Sequence, residues 1–228
     1  MQNHHFSSLL DNERSQLPDQ IANYILKKIF TGELVQDTRL IESNIAKELN
    51  VSNIPVREAF YILESRGVIE RLPRRGVRVK AISEEEMADY TSALIELFRI
   101  GIDYSRSKWN EETRHQLQQY LKEAKEQLNQ KNILEYVVKV HQLCGYVFQV
   151  AGNIAFIKFY SDITYITNVY SQMNWGDVER TEIRSRYLEA LVNALVDGDF
   201  EKAKESFEIL TRQSLNIKDE TIKRDRLQ

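Results

Sequence analysis

Apolar residues recur at helical spacing through most of this chain, but the punctuation between them changes near residue 83. From Gln20 to Phe30, Ile21, Tyr24, Ile25 and Ile29 mark a first helix, which Gly32 ends. An extended link through Arg39 and Leu40 leads to Ile45, Ala46 and Leu49, a brief helix stopped near Asn50. Val51 and Ser52 form a turn, with Ser52 placed to cap the next helix. Pro55 falls in that helix's first turn, where an amide proton has no partner to lose. Val56, Ala59, Phe60 and Leu63 then make an i, i+3, i+4, i+7 stripe, which turns Arg57 to the outer face. Gly67 ends this helix, and residues 68–72 and 77–82 read as two strands joined across Pro73-Arg74-Arg75-Gly76.

Beyond Ser83 the pattern is helical throughout. Proline is absent after Pro73, and Ser83-Glu84-Glu85-Glu86 is a capping box that opens a long helix. Helices are expected over 84–108, 111–129, 132–151, 153–174, 178–196 and 200–218, with breaks that include Gly152-Asn153, Gly176-Asp177 and Gly198-Asp199. The fold class is mainly α. A small α+β winged helix-turn-helix over 17–82 is followed by an all-α antiparallel bundle of about six helices over 83–228, and residues 1–16 form a flexible tail.

Charge sharpens the division. Residues 1–82 hold 12 Lys and Arg against 10 Asp and Glu, whereas 83–228 hold 19 against 24. Arg66, Arg71, Arg74, Arg75, Arg78 and Lys80 crowd into residues 66–80, opposed only by Glu70. A local basic patch on a chain of net charge −3 suits sequence-selective rather than indiscriminate binding to DNA. The single cysteine excludes an internal disulfide, the N-terminus lacks the apolar core of a signal peptide, and no apolar run reaches membrane-spanning length. A cytoplasmic location is expected. No Gly-rich phosphate loop and no nucleophile–base set is present, which argues against an enzyme. A helical-domain enzyme or a protein-binding adaptor with a winged-helix appendage is the alternative reading.

The run TGELVQDTRLIESNIAKELNVSNIPVREAFYILESRGVIERLPRRGVRV resembles the GntR family of bacterial transcription regulators. It keeps that family's Gly32, Leu34, Leu40, Glu42, Ala46, Leu49, Val51, Ser52, Pro55, Val56, Arg57, Glu58, Ala59, Leu63 and Gly67. The resemblance implies that Arg39, Ser52, Asn53, Ile54, Arg57, Arg75 and Gly76 face double-stranded DNA, that a homodimer meets a pseudo-palindromic operator, and that repression is the commoner outcome. The position after Ser52 is usually Arg but here is Asn53, followed by Ile54. Asn suits adenine and Ile a thymine methyl, so an operator richer in A·T there is expected.

The helical half resembles the FCD-type branch of the same family, in which many members hold a metal with one Asp and three His. Aligned on the Gly152-Asn153 and Gly198-Asp199 breaks, those four positions are Val140, Cys144, Leu188 and Leu210. Val and Leu cannot coordinate, so neither a metal nor any other cofactor is expected. His141 lies one residue from the Asp position and is turned about 100° away. These four positions form a candidate effector pocket, with Tyr136, Tyr146, Phe148, Phe159 and Tyr165 on nearby helices. Arg99 either pairs with Asp103 along its own helix or grips a carboxylate inside that pocket. The effector is thus an apolar or carboxylate-bearing metabolite, unless the cavity has collapsed and the bundle only dimerises.

Overall fold

Pro18 sets the start of the first helix. Helix α1 runs Leu17–Phe30 with Pro in its first turn, so it opens three residues before the apolar spacing alone suggests. The computed structural model describes residues 16–73, 76–171 and 178–215. The expected tail over 1–16 therefore lies almost wholly outside the described residues. The chain divides into two compact units, 1–82 and 83–228.

In the first unit α1 packs on α3 (Asn53–Ser65), which also carries α2 (Glu42–Leu49). Ile25 of α1 and Val56, Ala59, Phe60 and Leu63 of α3 are fully buried. Burying each of the larger side chains contributes about 1.5–3 kcal/mol. Asn50 ends α2 in the left-handed conformation (φ 53°), and the Val51 amide closes back on the Ala46 carbonyl at 2.9 Å. That turn sets the angle between the two helices.

Three strands follow the order β1-β3-β2, all antiparallel: β1 Arg39–Leu40, β2 Ile69–Leu72 and β3 Gly76–Val79. The link at Arg39-Leu40 is thus a true strand, paired with Arg78 and Val77. Val68 is not in the sheet, because its amide bonds the Leu63 carbonyl at 3.0 Å and completes the end of α3. The last strand starts at Gly76 and stops at Val79, short of the expected Ile82.

The second unit contains α4 (Glu84–Ser105), a 3-10 turn over Arg106–Lys108, α5 (Glu111–Asn129), α6 (Ile133–Ala151), α7 (Ile154–Ser171), α8 (Val178–Asp197) and α9 (Phe200–Leu215). The Ser83 hydroxyl accepts the Glu86 amide at 3.0 Å and starts α4. Asn110 and Thr113 form a reciprocal capping box at α5. Helix α4 packs against α6, α7 and α9. Its Phe98 lies flat on Phe207 and edge-on to Phe148, with ring centroids 3.5 and 5.6 Å away. The Gly176-Asp177 break and the ends expected at 174 and 218 lie outside the described residues.

Candidate nucleic-acid interface and ligand cavity

Helix α3 buries one face and presents the other. Asn53, Ile54, Arg57 and Tyr61 are exposed along it, Ile54 to 67%. Ser52 occupies the N-cap with extended backbone, but its side chain makes no capping hydrogen bond. The hydroxyl therefore does not occupy the first-turn amides, which suit a phosphate oxygen.

Arg57 is exposed but not loose. Its Nη2 donates to Glu42 Oε2 at 2.9 Å, and its Nε donates to Oε2 at 3.1 Å and Oε1 at 3.3 Å. The hydrogen bond to Glu42, then its charge, raises the guanidinium pKa. Arg39 lies across the wing: a Cβ added to Gly76 would sit 3.6 Å from Arg39 Nε and Nη2. Gly76 has φ +84°, a conformation that favours glycine. The sheet thus brings Arg39 and Gly76 together, while Arg75 lies outside the described residues.

Three neighbours of this surface are not among the residues expected to face DNA. Arg71 pairs with Glu64 at 2.9 Å and lies 4.6 Å over the Tyr61 ring. Arg78 bridges Asp37 at 2.7 Å and Glu70 at 2.8 Å. Glu42, which holds Arg57, stands inside the family run, but a partner 15 residues away has no local signature.

The helical unit contains a small cleft, partly open to solvent. Val140, Cys144 and Leu210 line it, together with Leu94, Phe207 and Leu215. Its polar lining is His141, Tyr160, Thr164, Thr167, Thr211 and Ser214. Leu188 does not reach the cleft and is fully buried in the core. Of the expected aromatics, Tyr136 and Phe148 fill the core, Tyr165 is buried elsewhere, Tyr146 packs on Trp109 and Tyr120, and Phe159 is 52% exposed. The aromatic rings that do line the cleft are Tyr160, one position from Phe159 and so turned about 100° from it, and Phe207 on α9.

Both readings of Arg99 are corrected. It is absent from the lining, and Asp103 instead binds Lys204 at 2.8 Å and Arg106 at 2.9 Å. Arg99 reaches Glu208 on α9 at 2.5 Å. Burial pushes the Glu208 carboxyl up, but hydrogen bonds from Arg212 and Arg99 outweigh it and hold the group below its ordinary 4.5. A depressed carboxylate adds stability above its unfolded pKa and loses it as pH falls through the folded one. Thermal melts should therefore show Glu208→Gln less stable than wild type near pH 6, with the gap closing on acidification below about 4.5.

The donor set does not fit a metal. Val140, Leu188 and Leu210 offer no donor atom, and burial pushes the Cys144 thiol up to about 12. Among the described residues no group of three or more His, Cys, Asp or Glu is placed to hold an ion.

Comparison with known proteins agrees with this geometry. Residues 17–79 match the family described as bacterial regulatory proteins, gntR family. The chain is 24% identical over 123 residues to an uncharacterised HTH-type transcriptional regulator, YdhC, of Bacillus subtilis, covering 54% of this chain and 55% of that protein. It is 39% identical over 70 residues to the gluconate operon transcriptional repressor of Bacillus subtilis, covering 31% and 28%. The matched stretch thus spans about half, or less, of these curated relatives. The solved structure of E. coli McbR/YncC superposes with a TM-score of 0.74 at 16% identity, over 93% of this chain and 100% of that one. At that identity the likeness shows the fold: a winged helix-turn-helix followed by a helical domain. The match to the gntR family of bacterial regulatory proteins is thus confined to residues 17–79, the winged helix-turn-helix.

Proposed function

We propose that this chain is a transcription regulator of the FCD-type branch that binds a pseudo-palindromic duplex operator as a homodimer in the cytoplasm. The observation that carries the reading is the outer face of α3, where Asn53, Ile54 and a fixed Arg57 stand clear beside Arg39 and the wing. A helix exposed from its N-terminus, flanked by a basic hairpin, fits the major groove. The matched relatives are named as regulators, not enzymes, and the gluconate operon protein is a repressor, which favours repression here.

Dimerisation falls to the helical unit, where Ile100, Tyr104, Ile154 and Phe159 leave apolar surface exposed on α4 and α7. The cleft at Val140, Cys144 and Leu210 takes the effector. Its described lining carries apolar groups, hydroxyls and the His141 imidazole but no arginine, lysine or carboxylate. An apolar molecule with one or two hydrogen-bonding groups suits it, and a carboxylate would have only the His141 imidazole and the hydroxyls to meet. Native mass spectrometry of freshly purified protein should reveal such a molecule bound.

Selection of bound duplexes from a random library tests the DNA reading. An inverted repeat with A·T pairs at the positions read by Asn53 and Ile54 is the expected product. A G-centred half-site would remove those two residues from base reading, and no enrichment at all would contradict DNA recognition.

A further inference from the structure

We propose that Glu42 is a positioning and specificity-determining residue for duplex recognition. It aims the Arg57 guanidinium and cancels its charge, so that Arg57 works through directed hydrogen bonds rather than attraction to any phosphate. This rests on the DNA-binding reading above.

The geometry is that of a clamp. Glu42 is the first residue of α2, where the helix dipole favours a carboxylate. Its side chain is 25% exposed against 54% for Arg57, so the acid is the anchored partner. Both carboxylate oxygens accept from one edge of the fork, Nε and Nη2. A guanidinium has five N–H donors. Nη1 and the outer proton of Nη2 stay available, in a plane set by the protein before DNA arrives. A free arginine must be ordered on binding, at a loss of up to about thirtyfold in affinity. Glu42 spares most of that loss, but only for a duplex that offers acceptors where the remaining protons point.

Charge points the same way. A paired carboxylate and guanidinium attract a distant phosphate only weakly. Arg71 with Glu64, and Arg78 with Asp37 and Glu70, repeat the arrangement around the same surface. Arg39, by contrast, makes no ion pair among the described residues. A surface built this way limits the sequence-blind part of binding, to which each unmatched cation on a phosphate contributes about 0.9 of salt slope.

The experiment uses the full chain with two duplexes of equal length, the library-selected operator and a scrambled version, titrated by fluorescence anisotropy over a salt series. Glu42→Gln should bind the scrambled duplex about fivefold tighter near 0.1 M salt, with a slope steeper by about 1 per recognition helix. Its operator preference should fall about tenfold. Glu42→Asp keeps the charge but shortens the reach, so it should lose operator preference while scrambled binding stays at the wild-type level. In the Arg57→Ala background, Glu42→Gln should change nothing further. Unchanged preference in Glu42→Gln overturns the proposal, as does equal tightening on both duplexes or an effect that survives Arg57→Ala. A wild-type protein that fails to prefer the operator would instead sink the DNA reading itself.

Discussion

Arg57→Ala is expected to weaken operator binding by about 1–3 kcal/mol per half-site, the worth of a well-aligned bidentate contact in the major groove. In a dimer with two recognition helices, the loss at the whole operator approaches twice that. The side chain is 54% exposed and its one partner, Glu42, lies at the surface, so the fold should barely register the change. Anisotropy titrations with the selected operator give the affinity, and thermal melts of the same samples give the stability. A large affinity loss with an unchanged melt marks a contact residue. A loss matched by a lowered melt would make Arg57 a structural brace between α2 and α3 instead.

A second large effect is expected in the core of the helical unit, where two physical terms oppose each other. Gly101 sits inside α4, and helix propensity alone favours its replacement by alanine by about 1 kcal/mol. A Cβ there, however, would lie 2.6 Å from Phe148 Cε1 and 3.0 Å from its Cδ1. Phe148 is fully buried, with Phe98 edge-on at 5.6 Å and Tyr160 at 4.7 Å, so its ring has nowhere to retreat. Overpacking of this kind costs about 1–3 kcal/mol and more for a branched side chain. Packing therefore outweighs propensity. Gly101→Ala should be modestly destabilising and Gly101→Val destabilising by about 3 kcal/mol, measured by chemical denaturation. Phe148→Leu should cost less in the Gly101→Ala background than alone, because the two changes share one space.

What could be read from the sequence follows from how local each feature is. Helix α3 was legible because its apolar stripe, the Pro55 in its first turn and the terminating Gly67 all lie within 16 residues of Ser52. Strand β1 reads from sequence only as an extended link, since two residues have no periodicity and become a strand by pairing with β3, where Arg39 meets Arg78 and Leu40 meets Val77. Arg99 was misread for the same reason. Its partner Glu208 lies 109 residues along the chain, so the nearby Asp103 looked the better candidate. Counting from the glycine breaks put Val140, Cys144 and Leu210 beside the cleft. It misplaced Leu188, because helix α8 turns that residue into the core instead. The clamp between Glu42 and Arg57 was invisible as a contact although both residues stood in the family run, because the turn at Asn50 is what brings α2 and α3 together.

The most direct measurement is a hydroxyl-radical footprint of the full chain on its selected duplex. A dimeric reader with one recognition helix per protomer should protect two symmetric stretches, centred about one helical turn apart. Their outer edges should vanish when Arg57 is replaced by alanine. A single unsymmetric stretch, or uniform protection that follows the DNA regardless of sequence, would contradict a dimeric, sequence-reading regulator.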